Sequence, residues 1–103
     1  MSLNLNVTTK ENESLISLSG DLDIYTSPEF SKGILNEFEK NGKDIVIDAS
    51  QLDYIDSTGL GAFISVYKAL TESSKTIKLI NVKPNVKKIF VITELDKLFK
   101  IEE

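Results

Sequence analysis

The run Ile45-Val46-Ile47 places three β-branched apolar residues side by side, between Asp44 and Asp48. A strand with one exposed face alternates apolar and polar residues, whereas an unbroken apolar run is typical of a strand covered on both faces. Such strands occur mainly in parallel sheets that helices cover. The run therefore predicts a central strand over residues 44–48 and favours an α/β fold.

The residues before this strand predict a β-hairpin. Residues 3–7 alternate strictly between apolar and polar, and residues 14–19 form a second apolar run. The polar link over residues 10–13 is short enough to be the hairpin turn. Gly20-Asp21 is expected to end the second strand.

Helix signals flank the central strand. Thr26 or Ser27, followed by Pro28 and Glu29, combines a capping hydroxyl, a proline in the first turn and a carboxylate at the positive end of the helix dipole. Asn41-Gly42 predicts the end of that helix.

After the central strand, the apolar spacing predicts a second helix from Leu60, a strand over residues 77–80 and a third helix around residues 86–90. Residues 95–99 are expected to close the domain as a short helical turn or a final strand. The order β-β-α-β-α-β-α predicts one α/β domain over residues 1–103, with parallel strands after the hairpin.

Composition excludes several kinds of chemistry. The chain has neither histidine nor cysteine, which removes Ser-His-Asp and Cys-His catalysis, disulfides and the usual zinc ligands. Catalysis would have to rely on carboxylates with Mg²⁺ or on lysine. We expect no enzymatic activity, no cofactor and no metal site.

Charge and hydropathy point to a soluble protein that does not bind nucleic acid directly. All 12 basic residues are lysines and the net charge is −4, which disfavours direct nucleic-acid recognition. No segment approaches the ~20 apolar residues that cross a bilayer, and the amino terminus lacks a signal-peptide core. We expect a cytoplasmic protein with no membrane association that is monomeric when free.

Two glycines, Gly59 and Gly61, lie where the first turns of the second helix are expected. Each costs about 0.8–1 kcal/mol of helix propensity relative to alanine. In one interpretation Asp56 or Ser57 caps the helix and the glycines let it lie close to the sheet. In the other, the small residues keep the helix start open to a partner that approaches the Ser57 hydroxyl.

This segment resembles the phosphorylation-site motif D-S-[ST/A]-G-L-G of the STAS-domain anti-sigma factor antagonists; it reads Asp56-Ser57-Thr58-Gly59-Leu60-Gly61. Other segments resemble the same family in the same order, and the similarity covers essentially the whole chain. They are Gly20-Asp21-Leu22-Asp23, Ile45-Val46-Ile47-Asp48, Leu52-Asp53-Tyr54-Ile55 and the run from Thr93 to Phe99.

The resemblance implies a mixed sheet with helices mainly on one face, and a partner-switching function. In that family the unphosphorylated antagonist binds an anti-sigma factor that is also a serine kinase, and so frees a sigma factor. The kinase phosphorylates the motif serine, here Ser57, and a PP2C-type phosphatase reverses the step. Thr58 is a possible second phosphoacceptor. The implied partner-binding residues are Asp21, Asp23, Asp56, Thr58, Gly59, Leu60 and Gly61.

Two alternatives stay open from the sequence. STAS domains also occur in stress-sensing assemblies and as parts of anion transporters. A phosphate-handling enzyme or phospho-aspartate receiver would use Asp48 at a strand end, with Lys83-Pro84 after the next strand. A receiver also needs an acidic pair after its first strand, where this chain has the predicted hairpin turn.

Overall fold

Five strands form one mixed sheet in the computed structural model, which describes residues 2–103. Their order across the sheet is their order along the chain. The first two strands are antiparallel, and the second to the fifth are parallel to their neighbours. The strands are β1 (Leu3–Thr9), β2 (Glu13–Leu22), β3 (Asp44–Ile55), β4 (Ile77–Ile80) and β5 (Lys100–Ile101).

The helices follow the predicted order. They are α1 (Ser27–Asn41), α2 (Ser57–Glu72) and α3 (Pro84–Ile92), and a 3₁₀ turn at Leu95–Lys97 precedes β5. The predicted end of the first helix at Asn41 is confirmed. The closing segment contains both structures that the sequence suggested, a helical turn and then a short strand.

The prediction that Gly20-Asp21 ends the second strand is wrong, because β2 continues to Leu22. Gly20 has a φ of +115°, and a Cβ there would lie 2.2 Å from the carbonyl oxygen of Ser2. Only glycine fits that backbone without strain, so this residue lets the strand bend and continue.

The central strand is also longer than predicted, since β3 runs to Ile55. Between the pair Ser17–Asp48 and the pair Leu22–Ile55, β3 contains two residues more than β2, at two register shifts. Because of these bulges, Leu22 and Ile55 pair with each other where the two strands end. The amide of Asp56 then donates to the carbonyl of Leu22 at 3.2 Å.

One face of the sheet carries the core. Ile16, Ile47 and Leu79 are registered across β2, β3 and β4, and all three are fully buried. On the opposite face Asn4 is exposed and Ser17 is only partly buried. The helices therefore pack mainly on one face, as the resemblance implied.

Phenylalanines join the helices over this face. The ring centroids of Phe30 on α1 and Phe63 on α2 are 4.7 Å apart, and those of Phe63 and Phe90 on α3 are 5.5 Å apart. All three side chains are fully buried. Burying each contributes about 1.5–3 kcal/mol, so this cluster stabilises the packing of the three helices against one another.

Candidate phosphorylation and docking site

The parallel strands β2, β3 and β4 all have their carboxyl ends at the same end of the sheet, and each of the three helices begins there. The start of α2 lies between the loop that leads from β2 to α1 and the start of α3. The sequence segment Asp56–Gly61 forms this helix start, and the structure brings it beside the loop over residues 23–26.

Asp56 is the residue that caps α2 and ties it to that loop. Its backbone is extended, and its carboxylate Oδ1 accepts a hydrogen bond from the amide of Gly59 at 2.9 Å. The other oxygen, Oδ2, accepts from the amide of Ile24 at 3.2 Å. The prediction that Asp56 or Ser57 caps the helix is confirmed for Asp56, and both of its oxygens are already engaged.

Ser57 is the first residue of α2, and its side chain is exposed. Thr58 beside it is exposed as well. Within residues 2–103, no group makes a hydrogen bond with the Ser57 hydroxyl or with the backbone amides of Ser57 and Thr58. The first amides of a helix carry partial positive charge, so the Ser57 hydroxyl lies at the positive end of the α2 dipole.

The two glycines of this turn differ in what surrounds them. A Cβ on Gly59 would lie 2.6 Å from the carbonyl oxygen of Leu22 and 2.9 Å from Cγ1 of Ile55. A Cβ on Gly61 would have no atom within 4 Å. Close packing therefore requires glycine at position 59 and does not require it at position 61.

Leu60 lies on the inner side of the same turn and is only 8% exposed. It belongs to the hydrophobic core. Together with Gly59 it holds the helix against the sheet, so in this structure these two partner-binding candidates are mainly packing residues.

Asp23, which the resemblance implied as a partner-binding residue, is only 5% exposed. Its Oδ1 accepts hydrogen bonds from the amides of Tyr25, at 2.9 Å, and Thr26, at 3.0 Å. The carboxylate therefore shapes the loop before α1 and is not presented to a partner. Asp21 is partly exposed, and its carbonyl accepts from the Thr26 hydroxyl at 2.8 Å.

Three exposed apolar side chains border the start of α2, and the sequence analysis did not select them. Ile24 is 60% exposed and Tyr25 is 81% exposed, both on the loop that Asp56 and Asp23 hold in place. Tyr54, at 48% exposed, lies on β3 opposite Asp21. We call Ile24, Tyr25 and Tyr54 the apolar rim. Two adjacent large apolar residues inside a polar loop were the signal that could have found it.

Two carboxylates have shifted pKa values, and neither belongs to this site. The hydroxyl of Ser14 donates to Glu37 at 2.6 Å and, with weaker help from Thr9 and Asn41, holds the Glu37 pKa below its ordinary value against the effect of burial. Burial acts to raise the pKa of Asp48, but hydrogen bonds from Ser50 and Asn81 outweigh it and the pKa is lowered.

The receiver-like alternative finds no support in these positions. Asp48 lies in the middle of β3 and not at a strand end, and Lys83 pairs with Asp53. Among residues 2–103, no group of three or more histidine, cysteine, aspartate or glutamate side chains is arranged to hold a metal ion. In the same part of the chain, every helix is too short or too polar to cross a bilayer.

Comparisons with known proteins agree with the fold. A family profile described as STAS domain matches residues 4–103. A Staphylococcus aureus protein named anti-sigma-B factor antagonist is 34% identical over 104 residues, which cover 100% of this chain and 95% of that protein. This chain therefore belongs to the STAS domain family.

Solved structures extend this likeness to three dimensions. An anti-sigma factor antagonist from Mycobacterium paratuberculosis matches with a TM-score of 0.87 at 25% identity, over 98% of this chain and 86% of that one. The phosphorylated form of SpoIIAA, a Bacillus cell fate determinant, matches with a TM-score of 0.72 at 20% identity, over 97% of this chain and 90% of that one. The latter likeness shows a shared fold.

Proposed function

We propose that this chain is an anti-sigma factor antagonist whose binding to its partner is switched off by phosphorylation of Ser57. The observation that carries the proposal is the exposed Ser57 hydroxyl at the first position of α2, next to two unoccupied backbone amides. The S. aureus relative's name supports the class of function. The chain itself acts as a substrate of modification and not as an enzyme.

The fold can accept a phosphate at this position. The dipole and the free amides of the first turn stabilise a phosphate by roughly 0.3–1 kcal/mol. The nearest carboxylate, on Asp56, is held by hydrogen bonds from Gly59 and Ile24. Phosphorylation is therefore expected to change the charge of the surface while leaving the structure intact.

A phosphate on Ser57 would disturb binding to a partner far more than it would disturb the fold. Two added negative charges that face a partner's carboxylate at about 6 Å repel it by roughly 1–5 kcal/mol, for effective dielectric constants from 80 down to 20. At 1.4 kcal/mol per tenfold, that repulsion weakens binding by roughly tenfold to several thousandfold. One phosphate is enough to act as a switch.

The docking surface consists of the outer side of the first turn of α2 and the apolar rim. Ser57, Thr58 and Gly61 supply a small, flat helical surface, and the apolar rim supplies exposed aromatic area. Tyrosine side chains in such positions often dominate binding energy. Asp21 and Asp56 add negative charge at the border of this surface.

The partner that fits this cycle is an anti-sigma factor with serine kinase activity, which supplies ATP and Mg²⁺ itself. A PP2C-type phosphatase would restore the binding form. The cycle takes place in the cytoplasm, with the free antagonist as a monomer and without direct contact to nucleic acid or membrane.

The test is to incubate the protein with a candidate anti-sigma kinase and ATP, locate the phosphate by mass spectrometry, and measure partner affinity by calorimetry. We expect one phosphate on Ser57. Ser57→Ala should bind like the unmodified protein, whereas Ser57→Asp should bind at least tenfold more weakly. Thr58→Ala should still be phosphorylated.

Ser65→Asp is the matched control. Ser65 is an exposed serine on the same helix, about 12 Å further along its axis. The same charge there should leave the affinity unchanged. If Ser65→Asp weakens binding as much as Ser57→Asp, or if the phosphate is found on another residue, the proposed switch is wrong.

A further inference from the structure

β1 is an edge strand, because in the described part of the chain it pairs only with β2. Hydrogen bonds at the two ends of this pair show which way its backbone groups point. The amide of Lys10 donates to the carbonyl of Glu13 at 2.8 Å, and the amide of Asp21 donates to the carbonyl of Ser2 at 2.9 Å. Hydrogen-bonded pairs alternate with non-hydrogen-bonded pairs along an antiparallel ladder. The even-numbered residues of β1 therefore direct their amides and carbonyls toward β2.

The odd-numbered residues of β1 direct theirs away from the sheet. These residues are Leu3, Leu5, Val7 and Thr9. In the described part of the chain, no other element forms a hydrogen bond with their backbone groups. Val7 is 40% exposed, so α1 does not cover the outer margin of the strand. Such a row of free amides and carbonyls can pair with an added strand.

The two edges of the sheet differ in how they are protected against such pairing. Edge strands are usually very short, or they carry a charge, a proline or a bulge. β5 is two residues long and includes Lys100. β1 is seven residues long, has no charged residue and no proline, and pairs with β2 without a register shift. In a chain with a net charge of −4, this uncharged edge is where two copies can approach with little repulsion.

We propose that β1 pairs antiparallel with β1 of a second copy of this chain, around a twofold axis at Asn6. Only outward-facing residues can exchange hydrogen bonds across this edge. With the axis at Asn6, Leu5 pairs with Val7 of the second copy and Leu3 pairs with Thr9, so all the outward groups of the strand are used. An axis at Leu5 would leave Thr9 beyond the end of the facing strand.

The side chains on both faces of the strand suit this register. Leu5 and Val7 lie on the face toward α1, where Leu5 contacts Gly33, so an apolar residue meets an apolar residue across the pair. Asn6 is exposed on the other face and meets Asn6 of the second copy. A side-chain amide both donates and accepts, so two of them can bond to each other. Like charges are opposed nowhere along the paired strands.

The pair is weak and independent of the switch. Two strands of seven residues are a small interface beside the roughly 1,200–2,000 Å² that stable complexes bury. The free protein is therefore a monomer when dilute and pairs when it is concentrated. Antiparallel pairing directs the α2 starts of the two copies to opposite ends of the joined sheet, so both docking surfaces stay accessible.

The first test follows amide hydrogen exchange and chemical shifts of the full chain as its concentration is raised from micromolar to millimolar. In dilute protein the amide of Asn6, which faces Ser17 on β2, should exchange slowly, whereas those of Leu5 and Val7 should exchange fast. In concentrated protein Leu5 and Val7 should become protected, with saturable shifts. The shift of Ser57 should stay constant.

A single introduced cysteine reports the register, because the chain has none of its own. Asn6→Cys places two thiols opposite each other across the axis, where the Cα atoms of a non-hydrogen-bonded pair are about 4.5 Å apart and within reach of a disulfide. Mild oxidation should yield a covalent dimer. Asn4→Cys is the matched control, because Asn4 is exposed on the same face but meets Thr8 of the second copy. It should stay monomeric.

Asn6→Lys should weaken pairing at least tenfold, because two ammonium groups then oppose each other across the axis. Asn4→Lys adds the same charge to the same face without opposing it to itself, so it should weaken pairing less. Ser57→Asp should pair like the unmodified protein, which separates a failure of this proposal from a failure of the proposed switch.

Several results would overturn the proposal. They are exchange at Leu5 and Val7 that does not depend on concentration, a disulfide from Asn4→Cys as readily as from Asn6→Cys, and equal losses from the two lysine variants. Protection of these amides only when the anti-sigma partner is added would assign the edge of β1 to that partner and would also contradict pairing between copies.

Discussion

The inner and outer sides of the first turn of α2 make different demands on the sequence. On the inner side Gly59 and Leu60 lie against β2 and β3, and a single added carbon on Gly59 would collide with the backbone of Leu22. On the outer side Ser57 and Gly61 face solvent, and a carbon added to Gly61 would touch nothing.

This difference divides the motif Asp56–Gly61 into two parts. From the sequence, two interpretations of the glycines in this motif were possible: close packing against the sheet, or a surface left open to a partner. In the structure, close packing explains the glycine at position 59 but does not explain the glycine at position 61. A glycine that packing does not require, on an exposed helix turn beside a candidate phosphoacceptor, favours recognition as its reason.

Gly59→Ala should produce the largest effect on stability. The new Cβ would lie 2.6 Å from a backbone carbonyl oxygen, which cannot move aside as a side chain can. Overpacking of this kind costs about 1–3 kcal/mol. Chemical denaturation should show a lower free energy of unfolding by that amount.

Gly33→Ala on α1 provides the comparison for that measurement. Its Cβ would meet only the end of the Leu5 side chain, at 2.7 Å, and that side chain can rotate. The loss should be smaller than for Gly59→Ala. If both variants lose the same stability, or if Gly59→Ala loses none, the inner side of α2 is less tightly packed than the structure indicates.

Tyr25→Ala should weaken partner binding without changing stability, in contrast to Gly59→Ala on the inner side of α2. Tyr25 is 81% exposed, so its truncation should change the free energy of unfolding by less than about 0.5 kcal/mol. As the most exposed aromatic side chain of the proposed docking surface, it should contribute at least about 1 kcal/mol to partner binding, a loss of roughly fivefold or more. Calorimetric titration of the anti-sigma partner would measure this.

Ile92→Ala is the matched control for Tyr25→Ala. Ile92 is another exposed apolar residue, at 68%, but it lies at the end of α3 and outside the proposed docking surface. Its truncation should leave the partner affinity unchanged. Equal losses from both variants would mean that exposed apolar area in general, and not the apolar rim, drives binding.

Most of the fold could be predicted because its signals are local. The apolar run at residues 45–47, the alternation in β1 and the Pro28 helix start depend on near neighbours in the chain, and each predicted its element correctly. The lengths of β2 and β3 could not be predicted this way, since they depend on Gly20 meeting the backbone of Ser2 and on bulges between strands distant in sequence.

Only part of the candidate site could be predicted, because local signals identify some of its residues while others depend on contacts in the folded chain. Ser57 and the Asp56 cap follow from the motif and from its place before a helix. Asp23 was taken as a partner-binding residue from the family resemblance, but the backbone amides of Tyr25 and Thr26 donate to its carboxylate and hold it inside the loop. Ile24 and Tyr25 stand next to each other in the sequence, but that they lie beside the start of α2 follows only from the tertiary structure, through the bond from the Ile24 amide to Asp56.

Asp56→Ala should affect both sides of the turn by a moderate amount. It removes the cap on the Gly59 amide and the bond to the Ile24 amide, and loss of a helix cap typically costs about 1 kcal/mol. The apolar rim should also lose its fixed position, which weakens partner binding. Hydrogen exchange at the amides of Ile24 and Gly59 should become faster.

Asp56→Asn tests how much of the effect of Asp56 comes from the helix cap alone. The amide oxygen of asparagine can still accept the hydrogen bond from Gly59, and asparagine caps helices about as well as aspartate does, but its NH2 group cannot accept the bond from Ile24. Asp56→Asn should therefore lose less stability than Asp56→Ala. If the two variants lose the same amount, the bond to Ile24 or the negative charge, and not the cap on Gly59, is the stabilising element.

Gly61→Ala should have the smallest effect, and in the opposite direction. Alanine at this open position of α2 should raise the free energy of unfolding by about 0.5–1 kcal/mol through helix propensity alone, since no atom lies within 4 Å of the added carbon. Partner affinity should fall at the same time, because the methyl group projects from the surface that the partner approaches. A variant that is both more stable and binds its partner equally well would show that the outer side of this turn is not part of the interface. Gain in stability with loss of binding would instead explain why a residue unfavourable to the helix is present there.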